Sequence, residues 1–214
     1  VSKKVREQYE EHPYPRWRYT NKYLPSNFLF QLNNEIKPNK IEYSNKFVNP
    51  NVLIAGCGTG KHITQAEKYL NANILGVDLS LASLAYAKRK TEELGFKNIE
   101  FLHADILQLS NINRKFDVIE CIGVLHHMDD PFIVLMILVV RLLKFGLMII
   151  GLYSDFARQH IVEARKEIAK KKYTASSKDK KDWINFTRQI NNISPKEADF
   201  FQENIQINIA PKLD

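Results

Sequence analysis

The stretch Val52–Gly60 reads VLIAGCGTG, in which an apolar run leads into glycines at alternate positions. The apolar run predicts a buried β-strand. The residues after it, Lys61–Leu70, place Ile63, Ala66 and Leu70 on one face and predict a helix. Glycine permits a sharp turn and a close approach of a ligand to the backbone, and the free N–H groups of the helix point toward the same place. The stretch therefore predicts a nucleotide-like ligand at a strand-to-helix turn.

The spacing of the glycines argues against two common nucleotide-binding loops. A dinucleotide fingerprint reads G-x-G-x-x-G, whereas Gly60 comes one residue early and Lys61 stands where the third glycine belongs. A P-loop requires Gly-Lys-Ser/Thr, which does not follow here. A nicotinamide-dependent oxidoreductase stays a rival hypothesis that this loop disfavours.

The residues beyond the loop alternate between strand and helix patterns. We predict further strands at Ile74–Val77, Ile99–His103, Phe116–Cys121 and Leu147–Leu152, and helices at Leu81–Leu94 and from Pro131 to about Lys144. Strands separated by helices imply a parallel sheet covered on both faces. We expect a doubly wound, Rossmann-like α/β fold with strand order 3-2-1-4-5, and a ligand across the carboxyl ends of strands one and four.

Acidic residues follow the second and third predicted strands. Asp78 ends strand two, where a carboxylate can accept both ribose hydroxyls of a nucleoside. Asp105 follows strand three, where it can accept from an adenine amino group, and Leu79 and Ile106 can enclose the ring. One glycine loop is a weak signal, but a loop and two acids at the ends of successive strands make a strong one.

These pieces, in their order and spacing, resemble class I S-adenosylmethionine-dependent methyltransferases. The resemblance covers residues 50–152 and rests on Val52–Gly60, Gly76–Ser80, His103–Ile106 and Phe116–Cys121. It implies S-adenosylmethionine as the cofactor. The residues implied to bind it are Gly56, Cys57, Gly58, Gly60, Asp78, Leu79, Asp105, Ile106 and Ile122, with the glycines making room for the methionine part, Asp78 on the ribose and Asp105 with Ile106 on the adenine.

A narrower resemblance extends to Gln8–Trp17 and Gly123–Met128. Similar stretches occur in bacterial methyltransferase domains that accompany tetratricopeptide repeats, although this chain contains no such repeats. Two departures from the family stand out. Leu143–Gly146 replaces the usual Lys-Pro-Gly-Gly, which predicts an altered helix-to-strand turn, and only Ile205–Ile209 is left as a candidate for the last strands. We therefore expect a sheet whose last hairpin is incomplete, or a truncated chain.

The chain divides into three predicted parts. Residues 1–50 form an aromatic arm or lid, residues 51–154 the cofactor-binding α/β domain, and residues 155–214 a mostly helical extension. Aromatic faces attract cations such as a sulfonium, so we expect the arm to cover the open edge of the sheet. The predicted lid and acceptor-side residues are Tyr9, Tyr14, Trp17, His127 and Tyr153.

The acceptor side follows strand four, where methyl transfer needs a base only if the acceptor begins as a hydroxyl or a protonated amine. His126 is our candidate for that base, since imidazole titrates near neutral pH, and we expect His127 to pack against the lid. The Asn/Asp-Pro-Pro-aromatic tetrad typical of enzymes that methylate planar nitrogens is missing, and so is a Pro-Cys nucleophile. A small-molecule acceptor is thus predicted by elimination.

Composition narrows the partners further. The formal charge is +7, and Phe156–Ile190 carries most of the excess with ten basic and four acidic residues. The positive charge of this stretch favours a rival hypothesis, a methyltransferase that acts on RNA or protein. Stacking on bases requires aromatic side chains, however, and this stretch has few of them. A donor-binding module without turnover is a third possibility. No Cys/His spacing predicts a metal site. The apolar run from Phe132 is interrupted by Arg141 and Lys144, which argues against a membrane-spanning helix. We expect a cytoplasmic chain.

Overall fold

The computed structural model describes residues 3–20, 24–42, 47–66, 69–153, 166 and 168–171. The chain separates into two units, Val1–Leu152 and Tyr153–Asp214. In the second unit the described backbone is helical at 166 and 168–170. The predicted helical extension 155–214 falls mostly outside the described residues, and the candidate strand Ile205–Ile209 falls wholly outside them.

The first unit contains a parallel sheet of five strands in the order β3-β2-β1-β4-β5. The strands are β1 (Asn51–Ala55), β2 (Asn73–Asp78), β3 (Ile99–His103), β4 (Phe116–Ile122) and β5 (Leu142–Gly151). This confirms the predicted doubly wound fold and strand order. The order reverses between β1 and β4, so the carboxyl ends of these two strands flank the switch point at which ligands bind in such sheets.

The central strand β1 explains why the sheet is buried on both faces. Val52 and Ile54 pack into one core with Phe28 and Ile63, because alternate residues of a strand point to opposite faces. Leu53 and Ala55 pack on the other face, in the core that also holds Val134 and Leu138. A near-continuous apolar strand is what such two-sided burial requires.

Five helices and two 3₁₀ turns connect and cover the strands within the described residues. They are α1 (Lys3–Glu11), α2 (Phe28–Glu35), α3 (Lys61–Ala66), α4 (Leu81–Glu93), α5 (Pro131–Arg141) and the 3₁₀ turns Ile106–Asn111 and Leu125–His127. Ser80 caps α4 by accepting from the N–H of Ser83, and Gly95 follows the helix with a φ of 73°. Each of these helices is too short or too polar to cross a membrane.

Two predicted helix ends are wrong. Helix α3 ends at Ala66 rather than Leu70, because the chain near Leu70 pairs with the arm: the Leu70 N–H donates to the carbonyl of Ser26, and Tyr69 forms a bridge with Ser26. Helix α5 ends at Arg141 rather than near Lys144, and β5 begins at Leu142 rather than Leu147. The chain thus leaves the helix directly into an extended strand.

The start of β5 confirms that the helix-to-strand turn is altered. Leu142 pairs with Phe116 and Leu147 with Val118, so the residues between them interrupt the register. Phe145 has a φ of 63°, and a Cβ on Gly146 would lie 2.9 Å from the carbonyl oxygen of Asp117. The irregular start of β5 replaces the predicted connecting turn.

Helix α5 offers a test of which of its faces packs into the core. Leu138 is fully buried, whereas the Met136 side chain is 61% exposed. We expect Leu138→Ala to lower the free energy of unfolding by about 2–5 kcal/mol through lost burial and a residual cavity. Met136→Ala should change it by less than about 0.5 kcal/mol. Urea denaturation of both variants measures the difference, and equal losses would contradict the described packing.

Candidate functional site

The carboxylate of Asp78 lies at the end of β2, next to the glycine loop that follows β1. Its Oδ2 accepts from the N–H of Gly58 at 2.8 Å, and its Oδ1 accepts from the N–H of Ser80 at 2.9 Å. One buried side chain therefore ties together the loop after β1, the end of β2 and the start of α4.

Burial raises the pKa of the Asp78 carboxyl above its ordinary value, because an ion loses hydration in the interior. The backbone N–H groups of Ser80, Gly58 and Leu79 oppose this by stabilising the charged form, and the negative charge of Glu10 adds to the increase. Within the part of the chain that the structure describes, the carboxylate is thus held by directed hydrogen bonds rather than by an ion pair with a basic side chain.

The glycine loop makes contacts that a side chain would prevent. Gly56 has a φ of 77°, and a Cβ there would lie 2.3 Å from Cγ2 of Val124, in the loop after β4. Gly60 has a φ of 86°, and a Cβ there would lie 2.9 Å from the Cβ of Ala87 on α4. The loop therefore needs glycine both for its backbone conformation and for close approach, and it lies between α4 and the loop after β4.

The end of β3 joins the same edge of the sheet. The Ala104 N–H donates to the carbonyl of Asp78 at 3.1 Å, and Nε2 of His103 lies 3.0 Å from the carbonyl oxygen of Leu79. Asp105 begins the first 3₁₀ turn, where its side chain accepts from the N–H of Leu107 at 3.0 Å. Ile106 is buried. The predicted adenine-side residues thus follow strands that are neighbours in the sheet.

The aromatic arm contacts the glycine loop directly. Nε1 of Trp17 donates to the carbonyl of Thr59 at 3.0 Å, and the Thr59 hydroxyl donates to the carbonyl of Pro15 at 2.6 Å. A Cβ on Gly58 would lie 3.1 Å from the carbonyl oxygen of Tyr14. The Trp17 side chain is buried, and its ring meets Tyr86 of α4 edge to face. The arm therefore packs on the loop.

Glu10 is a residue of this region that the sequence analysis did not identify. Its Oε1 accepts from the N–H of Leu81 at 2.8 Å, and its Oε2 accepts from the N–H of Ala82 at 2.9 Å. The Ala82 N–H is the main cause that lowers the pKa of Glu10 below its ordinary value, and Leu81 and Ser80 add to it. A carboxylate at a helix N-terminus is a favourable arrangement, and here a residue of α1 supplies it to α4.

The two histidines after β4 differ in their surroundings. The Tyr9 hydroxyl lies 3.3 Å from Nε2 of His127, within hydrogen-bond distance, and the two rings meet edge to face. The rings of His126 and His127 lie with centroids 4.1 Å apart, and His126 is exposed. The structure thus brings the arm and His127 together.

The remaining predicted residues have these places. Cys57 is buried in the loop, and burial raises the pKa of its thiol well above the ordinary value. Ile122 ends β4, is half-buried and packs beside Gly151 of β5. Tyr153 begins the second unit, and its side chain is half-exposed. Among the described residues, no group of His, Cys, Asp and Glu side chains is arranged to hold a metal ion.

The family follows from a comparison with known proteins. A protein-family model described as a methyltransferase domain matches residues 46–199. The chain belongs to the class I S-adenosylmethionine-dependent methyltransferases. S-adenosylmethionine is accordingly the cofactor of this methyltransferase domain.

Individual relatives cover only parts of the sequence. An uncharacterised protein of Synechococcus is 34% identical over 123 residues, which are 56% of this chain and 29% of that protein. A ubiquinone biosynthesis O-methyltransferase of Coxiella burnetii is 30% identical over 115 residues, 54% of this chain and 47% of the enzyme. Two other matches are named as a probable (S)-tetrahydroprotoberberine N-methyltransferase of Papaver bracteatum and a tRNA (guanine-N(7)-)-methyltransferase of Rubrobacter xylanophilus. The chain spans less than half the length of the first curated relatives it matches.

A solved structure shares the fold of the methyltransferase domain. The structure of PKMT2 from Rickettsia typhi in complex with AdoHcy aligns with a TM-score of 0.52 at 23% identity, over 72% of this chain and 32% of that chain. At this level of identity the likeness concerns the fold alone.

Two glycines allow a test of the close approach between the glycine loop and Val124. Gly56 and Gly95 both have positive φ, but a Cβ on Gly95 would meet no atom within 4 Å. We expect Gly95→Ala to lower the free energy of unfolding by about 1 kcal/mol through backbone strain. Gly56→Ala should cost at least about 1 kcal/mol more, because the new methyl group overlaps Val124. Chemical denaturation compares them, and equal costs would show that the two loops are not in contact.

Proposed function

We propose that the chain transfers a methyl group from S-adenosylmethionine, which it binds along the carboxyl ends of β3, β2, β1 and β4. The observation that carries this proposal is the Asp78 carboxylate, which is fixed against Gly58 beside a loop where side chains would collide. A carboxylate has about four lone-pair sites. The N–H groups of Gly58 and Ser80 leave capacity for ribose hydroxyls, so the residues fit the donor.

The donor-binding roles are assigned by position. Asp78 accepts from the ribose hydroxyls, while Gly56, Gly58 and Gly60 make room for the methionine part. Leu79, Asp105 and Ile106 bind the adenine, and Cys57 and Ile122 line the pocket. The support for these roles is that β1, β2 and β3 are adjacent and parallel, with Ala55 paired to Val77 and Asp78 paired to His103. Their carboxyl ends therefore lie along one edge.

When bound, the sulfonium supplies a methyl group that is already activated, so the protein mainly orients the reactants and excludes water. The arm supports this role, because Trp17 and Thr59 join it to the glycine loop. A covalent cysteine intermediate is disfavoured. The thiolate is the reactive form, and burial raises the pKa of Cys57 well above its ordinary value and that of Cys121 to about 11.

The acceptor is proposed to be a small molecule. The arm packs over the glycine loop and contacts His127, which leaves less open surface at this edge for a large partner. A relative named for ubiquinone biosynthesis O-methylation is in keeping with this. His126, exposed in the 3₁₀ turn after β4, is the proposed base where the acceptor has a proton to lose. Tyr9, Tyr14, Trp17 and His127 are the proposed lid and acceptor-side residues of the first unit.

Donor binding is tested with S-adenosylhomocysteine and NAD as separate probes. A ligand that binds the native state raises the melting temperature, and we expect this from S-adenosylhomocysteine but not from NAD. Asp78→Asn should weaken S-adenosylhomocysteine binding by about 1.5–3 kcal/mol, since it replaces a charged acceptor. Glu92→Gln, which changes an exposed acid at the far end of α4, is the matched control and should bind like the wild type.

Isothermal titration calorimetry gives these affinities. A wild-type affinity in Asp78→Asn would remove Asp78 from the ribose site. Stabilisation by NAD without any response to S-adenosylhomocysteine would contradict the proposed function altogether.

The acceptor class is tested by transfer of a labelled methyl group from S-adenosylmethionine. Separate small-molecule, protein and RNA fractions of a bacterial extract are incubated with the wild-type chain, and Asp78→Asn serves as the weakly binding control. We expect label in the small-molecule fraction, at a rate that falls in the variant. Label in protein or RNA alone would replace the small-molecule acceptor, and donor binding without transfer to any fraction would favour a module that binds without turnover.

A further inference from the structure

Glu10 connects the arm to the donor site through the N-terminus of α4. It lies 71 residues before Leu81 and 72 before Ala82, yet its carboxylate accepts from both backbone N–H groups. The first N–H groups of a helix have no partner within the helix, and together they favour an anion. In this chain the anion that meets them is a side chain of α1.

The first turn of α4 is completed by the chain's own residues. The Glu10 carboxylate accepts hydrogen bonds from the N–H groups of Leu81 and Ala82, and the Ser80 hydroxyl accepts one from the N–H of Ser83. The arm is therefore held by a pair of charge-assisted hydrogen bonds, which are stronger than bonds between neutral groups.

Ser80 links the Glu10 carboxylate to that of Asp78. The Ser80 N–H donates to Oδ1 of Asp78 at 2.9 Å. Its hydroxyl lies 3.1 Å from the carbonyl oxygen of Tyr9 and 3.4 Å from Oε2 of Glu10. The other oxygen of Asp78 holds the N–H of Gly58. A continuous series of contacts thus runs from α1 through Ser80 and Asp78 to the glycine loop.

The arm meets the glycine loop at a second place, where Trp17 donates to the carbonyl of Thr59. The segment between Glu10 and Trp17 is consequently fixed at one end to the N-terminus of α4, shortly after Asp78, and at the other end to the glycine loop. Movement of the arm away from α4 would remove the anion at Leu81 and Ala82 and the bond from Ser80 to the Tyr9 carbonyl. Ser80, whose N–H donates to the Asp78 carboxylate, would then be held in place by fewer contacts.

We propose that Glu10 is a positioning residue of the donor site, which acts through Ser80 on Asp78 so that arm docking and donor binding strengthen each other. This inference rests on the proposed function, since it assigns the coupling to the same ligand. Coupling between two binding events is reciprocal. Donor binding should therefore tighten the arm on α4 to the extent that the arm tightens donor binding.

The test uses Glu10→Gln, which keeps the shape of the side chain but removes its charge. Glu11→Gln is the matched control, because Glu11 is the next residue, carries the same charge and is exposed. We expect S-adenosylhomocysteine to bind Glu10→Gln about 5- to 50-fold more weakly than wild type, a range typical of coupling between sites. Glu11→Gln should stay within about twofold of wild type. Circular dichroism checks that the variants fold. If Glu10→Gln does not fold, Glu10→Asp replaces it. This variant keeps the charge but shortens the side chain, and it too should bind S-adenosylhomocysteine more weakly than wild type.

A double-mutant cycle separates positioning from a merely structural role. If Glu10 acts through Asp78, the loss caused by Glu10→Gln should shrink to less than about twofold when it is made in Asp78→Asn. A structural role would give the same loss in both backgrounds. Arm docking is followed by the fluorescence of Trp17, with Trp183→Phe removing the chain's other tryptophan. S-adenosylhomocysteine should shift the Trp17 emission in wild type more than in Glu10→Gln.

The outcomes distinguish this inference from the function on which it rests. If the wild-type chain binds S-adenosylhomocysteine but Glu10→Gln binds it equally well, or the losses add in the cycle, the inference is overturned and the proposed function stands. If the wild-type chain does not bind S-adenosylhomocysteine, both are overturned. If Glu10→Gln weakens binding in the wild-type background but not in the Asp78→Asn background, the inference and the proposed function are both supported.

Discussion

The hydrogen bonds that Gly58 and Ser80 donate to Asp78 hold together the parts of the molecule on which the site depends. A carboxylate buried to this extent is costly unless its lost hydration is replaced by directed donors. The backbone N–H groups that replace it belong to the glycine loop and to the start of α4. The requirement to satisfy one carboxylate therefore ties the glycine loop and the start of α4 to the end of β2.

The arm extends this arrangement to the outside of the sheet. Trp17 bonds the glycine loop, Glu10 meets the N-terminus of α4, and Tyr9 reaches His127 after β4. Each contact falls on an element that borders the carboxyl edge of the sheet. The arm is thus a part of the candidate site, in keeping with the proposed exclusion of water. It contacts Thr59, Leu81 and Ala82, which are next to or near the residues whose N–H groups hold Asp78.

Much of the fold, and the position of Asp78 at the end of β2, could be predicted from the sequence. The strand order and the place of Asp78 followed because parallel strands separated by helices bring their carboxyl ends to one edge. The boundary between α5 and β5 could not be predicted, since every residue from Phe132 to Val140 is apolar and apolar residues continue on both sides of Lys144, so that no change of period marks the end of the helix. Glu10 and the pairing of Tyr9 with His127 were also out of reach as contacts, because they join residues 71 and 118 positions apart through tertiary docking.

The most direct test of this account is a crystal structure of the chain with S-adenosylhomocysteine. The account predicts that the ribose hydroxyls lie about 3 Å from the Asp78 carboxylate, a hydrogen-bond distance, while the bonds from Gly58 and Ser80 persist. A ligand bound elsewhere, or a ribose held by other groups with Asp78 still bonded only to the backbone, would contradict it.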